Sequence, residues 1–462
     1  MRILLLNPPS SKMQARDYYC SASSKADYYW QPIDLLVLSG RLAEKHEVIV
    51  LDATVLKLAF EKTAEKIEKI RPDAIFFLIS TPTLKDDMRL MKAVKARIGC
   101  KIYGSGNYFY FMPDKSMKDY PFLDGILMDF TSPHVFRLLD KNKKGIKDAV
   151  YRENGRVIKT AADSKKTFSY PIPKHELFPN KLYRIPHAKN FPITTMLTNF
   201  GCPFKCKFCF CSRIPFKFRE IGNVIDELRY VKKLGIRDVY FRDYTFTINR
   251  AYVKELCRRM IEERFNLGWV CLSRAELVDE ELLILMKRAG CHTIQFGVES
   301  GSDAILKRYA KMVDKDKIRN AFRICSKLGI NTLAHFILGL PGETKKDVEK
   351  TIDFAKELKC DFASFNLYAP LIGSETRDEV IEKGWLKEKD LSFSDVSDEH
   401  LAVETPWLAR KELLKLKKKA IISFYARPGY ILKMAKKAGS PRLLAEYAKN
   451  GLALFKETLF GK

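Results

Sequence analysis

Short apolar runs alternate with longer stretches whose apolar positions recur at helical spacing. In the first 110 residues the runs are 2–7 (RILLLN), 47–51 (EVIVL), 74–80 (AIFFLIS) and 101–103 (KIY). Segments 35–45, 59–70 and 84–98 lie between them with helix-like patterns. The runs are too short for helices and rich in aliphatic and aromatic residues, so they read as strands. Strands alternating with helices predict a parallel, doubly wound sheet. Ligands of such sheets bind beyond the carboxyl ends of the strands. That edge carries Asn7, Pro8, Pro9 and Ser10, then Asp52 and Ala53, then Ser80 to Pro82, then Gly104, Ser105, Gly106 and Asn107. No G-x-G-x-x-G comes after the first run, so the dinucleotide fingerprint is absent.

Residues 150–158 read as a hairpin turning at Asn154-Gly155. Beyond it lies a polar stretch with Pro171, Pro173 and Pro179. The rhythm then resumes at 193–198, 238–243, 269–274, 292–298, 332–338 and 361–366, each run leading into a loop or a helical pattern. Six βα units predict a full or partial barrel, whose chemistry belongs at the carboxyl ends of its strands. Near residue 380 the alternation stops, and 411–424 and 442–460 read as helices. The expected fold is therefore α/β: a doubly wound, Rossmann-like domain (1–150), a linker (151–189), a partial (β/α)6 TIM-like barrel (190–380) and a helical, basic C-terminal segment (381–462).

Composition adds constraints. At 462 residues the chain has room for two or three domains. No apolar run is long enough for a membrane span, and 1–9 is too short an apolar start for a signal peptide. The expected compartment is the reducing cytosol, where eleven cysteines point to metal-cluster chemistry and buried thiols rather than disulfides. The net charge of +26 suits a solvated Lys-rich surface or an anionic partner. Residues 410–462 hold 14 lysines and arginines against three acidic residues, compatible with a helical cap over the barrel mouth or with peripheral contact on an anionic membrane.

The chemistry concentrates at 200–211, F-G-C-P-F-K-C-K-F-C-F-C, directly after the first barrel strand. Cys202, Cys206 and Cys209 are spaced C-x3-C-x2-C, and thiolates are the ligands that iron–sulfur clusters take. Three cysteines on a four-iron cluster leave one iron open. The competing reading is zinc, with Cys211 as fourth ligand, although zinc sites usually pair C-x2-C units.

This motif, with Phe208 before its last cysteine, resembles the radical S-adenosylmethionine (SAM) superfamily. The resemblance implies a [4Fe-4S] cluster on Cys202, Cys206 and Cys209 whose open iron chelates SAM and whose electron cleaves it to a 5′-deoxyadenosyl radical. Gly297 to Gly301 (GVESG) resembles the ribose-contacting segment, with Glu299 and Ser300 on sugar hydroxyls; the alternative is a plain turn. Gly339 to Thr344 (GLPGET) resembles the loop that packs the adenine. The same resemblance puts Asp243 near the SAM amino group, or else as a helix cap. It puts Arg274 near the SAM carboxylate or a cluster sulfide, or else in an ion pair. Cys257, Cys271, Cys291, Cys325 and Cys360 read as buried bystanders, and His335 as a core histidine.

The first domain resembles the cobalamin-binding domain of cobalamin-dependent radical SAM enzymes, through 3–9 (ILLLNPP) and 30–36 (WQPIDLL), with Gly104 and Gly106 at the cofactor edge. The D-x-H-x-x-G signature of other cobalamin proteins is missing. The run F-Y-x-R-P-x-Y at 424–430 resembles the tail of relatives acting on lipids, tetrapyrroles and other bulky apolar molecules. Together these imply a C-methyltransferase acting on an unactivated carbon of a small-molecule or lipid substrate. Its cofactors would be the [4Fe-4S] cluster, SAM and cobalamin, with an electron donor such as ferredoxin or flavodoxin. The rival within the superfamily is cyclisation, C–C joining or rearrangement without methyl transfer. An RNA methylthiotransferase would need three further cysteines in the first domain, which has only Cys20 and Cys100. A metal-stabilised RNA-binding protein would need an RNA module that the sequence lacks. A nucleic-acid partner is not expected.

Overall fold

The computed structural model describes residues 1–11, 14–23, 29–140, 142–386, 403–438 and 441–460. Residues 387–402, 439–440 and 461–462 of the expected C-terminal segment lie outside the described residues.

β1 (Arg2–Asn7) leads into a two-stranded hairpin, β2 (Gln14–Asp17) and β3 (Cys20–Ser23), before the first helix, Ile33–Leu42. Then come β4 (Glu47–Asp52), β5 (Ala74–Leu78), β6 (Lys101–Ser105) and β7 (Gly125–Leu127), and the pair β8 (Ala149–Glu153) and β9 (Arg156–Lys159). The sheet order is β4-β1-β5-β6-β7-β8-β9. Its first five strands run parallel, and β8 and β9 add antiparallel. The turn predicted at Asn154-Gly155 is there, with both residues at positive φ. Its hairpin closes the first sheet, so the sheet continues past residue 150 to Lys159.

The connecting stretch is bonded into the second half. β10 (Thr167–Phe168) precedes β11 (Ile193–Met196), β12 (Asn199–Phe200) and β13 (Lys217–Arg219), and it pairs with β13. His175, fully buried, bonds Thr194 at 2.7 Å and Glu227 at 2.9 Å. β14 (Asp238–Phe241), β15 (Gly268–Ser273), β16 (Cys291–Glu299), β17 (Asn331–Leu338) and β18 (Phe362–Leu367) complete a six-stranded parallel sheet with β11, neighbours in chain order. Side-chain caps start several intervening helices, as Asp279, Asp314 and Thr344 do. Thr344 and Asp347 form a reciprocal capping box.

Burial alternates along the late barrel strands. Ala334, Phe336, Leu338, Ala363, Phe365 and Leu367 are buried against the outer helices. The alternate positions, among them His335, Ile337, Ser364 and Asn366, are only partly buried. Successive strand residues face opposite sides. The inner face of the barrel therefore keeps a solvent-reaching lumen on its β17–β18 side. His335 belongs to that lumen, bonded to Gln295 at 3.0 Å, rather than to the outer core.

Among the described residues, the C-terminal helices lie on the outside of the barrel rather than over its mouth. Helix Arg410–Tyr425 runs along the outside of β18, with Leu413 beside Gly339 and the Tyr425 hydroxyl donating to the Ala363 carbonyl at 2.7 Å. The Tyr430 hydroxyl donates to the Asp361 carbonyl at 2.8 Å, at the amino end of the same strand. An edge strand exposes unpaired backbone and is commonly covered; the aromatic run 424–430 provides that cover here. No helix among the described residues is long and apolar enough to cross a membrane.

Candidate active site

The cysteine loop leaves β12 at the carboxyl end of β11 and returns through β13. Gly201 opens it at φ 76°, where a Cβ would stand 2.6 Å from the Pro215 carbonyl oxygen. Cys206 is buried, and Cys202 and Cys209 are partly exposed. Burial pushes the Cys202 and Cys206 thiols up, and Lys311 and Arg274 pull Cys206 back down. Arg274 Nη1 lies 3.3 Å from the Cys206 sulfur, and its guanidinium stacks 3.9 Å from the Phe204 ring centre. Its Nε bonds Glu276 at 2.5 Å, while its Nη2 is buried without a partner. The Cys211 amide lies 3.5 Å from the Cys209 sulfur, and hydrogen bonding from Cys211 lowers the Cys209 thiol. Among the described residues, no set of three or more His, Cys, Asp or Glu side chains could hold a single metal ion. Three thiols on one loop, two cations at hand and one unspent guanidinium nitrogen fit an anionic iron–sulfur cluster with an anionic ligand beside it.

Around the rim, the expected site residues divide by how they are spent. Asp243 is fully buried and accepts from the Thr198 amide (2.7 Å), the Thr198 hydroxyl (2.8 Å) and the Asn199 amide (2.8 Å). Both oxygens are engaged in holding the entry to the cysteine loop, and burial raises the carboxyl to about 6. Glu299, at φ 66°, pairs with Lys311 at 2.9 Å. The pair lies against Gly297, where a Cβ would stand 2.9 Å from the Lys311 Nζ, so a side chain there would push on both partners. Ser300 turns inward, 3.2 Å from Thr351, and accepts from the Ser302 amide. The Gly339 amide donates to Glu343 at 2.5 Å and the Leu340 amide to the same oxygen at 3.2 Å. The other Glu343 oxygen is buried without a partner, and burial raises the carboxyl to about 8. Lys311 and Glu343 escaped the sequence reading, and no spacing rule would have found Lys311, twelve residues beyond Glu299.

The crevice of the first sheet has its own unspent groups. The hydroxyls of Ser80, Thr81 and Ser105 are buried without partners at the carboxyl ends of β5 and β6. Nearly all buried polar groups find partners, so three orphans at one edge fit a polar ligand such as the tail of a cobalamin. Gly104 and Gly106 sit between them, but a Cβ on Gly104 would strike the Phe109 ring, and one on Gly106 the Ile79 carbonyl oxygen at 2.8 Å. Their smallness serves packing at the crevice. Asn7 and Asp52 bond each other at 2.8 Å, and Tyr29 and Tyr183 complete that network. The two halves meet in a shared aromatic core of Tyr18, Phe130, Phe200 and Tyr244. Buried pairs Asp17–Arg242 and Asp129–Lys217 cross the same boundary. The hairpin that supplies Asp17 and Tyr18 was not predicted from sequence.

Known proteins share both halves of this arrangement. The Radical SAM superfamily profile matches residues 196–355, and the B12 binding domain profile matches residues 21–133. An uncharacterised methyltransferase of Pyrococcus horikoshii is 29% identical over 446 residues, covering 94% of each chain. The anaerobic magnesium-protoporphyrin IX monomethyl ester cyclase of Rubrivivax gelatinosus is 25% identical, over 83% of this chain and 70% of that one. The solved radical SAM methyltransferase TsrM of Kitasatospora setae, with cobalamin and a [4Fe-4S] cluster bound, has the same fold at TM-score 0.65 and 18% identity, over 83% and 75%. The chain thus joins a radical SAM domain to a B12-binding domain.

Proposed function

Proceeding from that pairing of domains, we propose that the chain is a cobalamin-dependent methyltransferase that acts on an unactivated carbon through SAM radical chemistry. One observation carries the reading: Cys202, Cys206 and Cys209 stand on one loop at a barrel rim that is packed directly against a crevice with three orphan hydroxyls. When bound, the cluster with SAM would supply a carbon-centred radical, and cobalamin a methyl group. The chain's own residues bind and orient. Cys202, Cys206 and Cys209 hold the cluster; Arg274 and Lys311 offset its negative charge. Glu299 and the 339–343 loop line the SAM side of the rim, while Ser80, Thr81 and Ser105 hold the cobalamin side. The aromatic block between the halves excludes water from the space they share.

The substrate class we favour is a bulky apolar or anionic molecule, lipid-like or tetrapyrrole-like. The net charge of +26 supports it, as does the likeness to a protein named for a tetrapyrrole ester. An external one-electron donor such as ferredoxin or flavodoxin completes the cycle. Peripheral contact with an anionic membrane is part of the reading. It would be made by the basic C-terminal helices near the amino end of β18, where Lys437 pairs with Asp361 at 2.6 Å. The second reading is ring closure without methyl transfer, favoured by that same relative being a cyclase. Anaerobic reconstitution with iron, sulfide and hydroxocobalamin tests the reading. Absorbance of both a cluster and bound cobalamin is expected; a brown protein that retains no cobalamin refutes methyl transfer and leaves the radical chemistry standing.

A further inference from the structure

The β2–β3 hairpin ends in three consecutive residues that reach three different places. Arg16, 1% exposed, donates from Nη1 to Asn7 (3.2 Å), the Pro8 carbonyl (2.9 Å) and Thr54 (3.0 Å), and from Nη2 to Thr83 and Asp87 (both 2.9 Å). It thereby grips the segments just beyond the carboxyl ends of β1, β4 and β5, the edge at which a ligand of this sheet enters. Asp17 accepts from Arg242 at 2.8 and 3.2 Å and from the Trp30 indole at 2.6 Å. Arg242 comes immediately after β14 of the barrel. The Tyr18 phenolic oxygen accepts from the Gly201 amide, one residue before Cys202. The Tyr18 ring stacks on Tyr244 at 4.3 Å and 23°, and its carbonyl accepts from the Tyr244 hydroxyl. Tyr18 and Tyr19 form the turn at φ 48° and 59°. That region favours Gly, Asn and Asp, so two tyrosines there are explained by what their side chains do.

We propose that Arg16-Asp17-Tyr18 is a clasp through which ligand binding in the first domain's crevice sets the position of the cysteine loop, with Tyr18 as a positioning residue acting through Gly201. A ligand entering the crevice meets the strand ends that Arg16 holds. Arg16 and Tyr18 are two residues apart on one buried segment whose Tyr18 amide donates to Asp34 at 2.5 Å, so the short backbone between them is the route by which a change at the crevice reaches Gly201. The identity of the two ligands rests on the proposed function; the clasp itself rests on these contacts.

The test titrates hydroxocobalamin anaerobically into the full-length protein with and without its reconstituted cluster, monitored by absorbance. Linked sites change each other's affinity by the same factor, typically about 5- to 150-fold. The native protein is expected to show at least about a fivefold difference in Kd between the two forms. Cobalamin is also expected to alter the EPR spectrum of the reduced cluster. Tyr18→Phe keeps the ring and removes the acceptor; it should bring the difference below about twofold at unchanged iron content. Tyr19→Phe is the control, because its hydroxyl donates only within the first domain, to the Met128 carbonyl at 2.6 Å, and it should keep the native difference. If Tyr18→Phe does not fold, Tyr244→Phe removes the donor to the Tyr18 carbonyl and should show the same loss. Equal Kd values in the two native forms, or an undiminished difference in Tyr18→Phe, overturn the clasp. A protein that takes up no cobalamin, or no cluster, overturns the proposed function as well.

Discussion

Glu343 makes a quantitative forecast. Its carboxyl accepts two backbone amides on one oxygen and has no partner on the other, and burial raises it from its ordinary value of 4.5 to about 8. Between those values the folded protein holds a proton that the unfolded chain has released. Stability therefore falls as pH rises through that window, by roughly 1.4 kcal/mol per pH unit, or about 5 kcal/mol in all. Glu343→Gln keeps the shape and an oxygen for the Gly339 and Leu340 amides but has no proton to lose. The variant should match the native protein near pH 5, exceed it progressively toward pH 8, and hold a constant advantage above that. Paired thermal melts of the two proteins at half-unit steps from pH 5 to 9 read the difference, in which every other titrating group cancels. Parallel curves across the whole range would refute the buried, protonated state of Glu343, and a variant weaker at every pH would show that the carboxylate is held ionised.

Other substitutions separate ligands from scaffolding. Cys206→Ala should lose SAM cleavage and bind less iron; unchanged cleavage rules out its role as a ligand. Arg274→Met should leave iron content near native while slowing reductive SAM cleavage at least about tenfold, about 1.4 kcal/mol of transition-state stabilisation; a native rate assigns Arg274 to its contacts with Glu276 and Phe204 alone. Ser80→Ala combined with Ser105→Ala should weaken hydroxocobalamin binding at least about fivefold, about 1 kcal/mol, without lowering the melting temperature, because hydroxyls with no partner cost nothing to remove. Gly301→Ala should destabilise by roughly 1–3 kcal/mol, because its Cβ would stand 2.6 Å from the Lys350 carbonyl oxygen, a backbone atom that cannot swing away; an unchanged melting temperature would refute that close approach.

Periodicity carried much of the fold. The runs at 2–7, 47–51, 74–80 and 101–103 are four neighbouring strands of the first sheet, and the six barrel runs appear in the order expected. The β2–β3 hairpin was invisible because its strands, QARD and CSAS, carry no alternating apolar pattern. The burial of β2 comes from distant segments of both halves, Asn7, Thr54 and Asp87 around Arg16 and Arg242 on Asp17, and propensity yields to such tertiary context. The C-terminal helices were legible as helices but not in position. Nothing in 424–430 tells a cap over a mouth from a cover on an edge strand; only the bonds of Tyr425 and Tyr430 to 361–363 do. Asp243 shows the same limit at the site. A carboxylate after a barrel strand reads as a ligand contact, and geometry shows that both its oxygens hold Thr198 and Asn199 at the entry to the cysteine loop.

What distinguishes the groups that face ligands is a property no single residue possesses. The polar side chains around the rim are mostly consumed: Asp243 by Thr198 and Asn199, Ser300 by Thr351 and Ser302, Asp17 by Arg242 and Trp30. Buried side-chain atoms without a partner occur in many parts of the described chain; Arg274 Nη2 and Glu343 Oε1 are those beside the cysteine loop and the 339–343 loop that the proposed chemistry uses, and the Ser80, Thr81 and Ser105 hydroxyls share the first sheet's edge. Burying such atoms unpaired costs about 1–3 kcal/mol each, a cost that a ligand bonding to them would offset. On the proposed function, the cysteine motif holds the cluster, these atoms face its companions on either side, and the Tyr18 hairpin, bonded to Gly201 and to Asp34, lies between them.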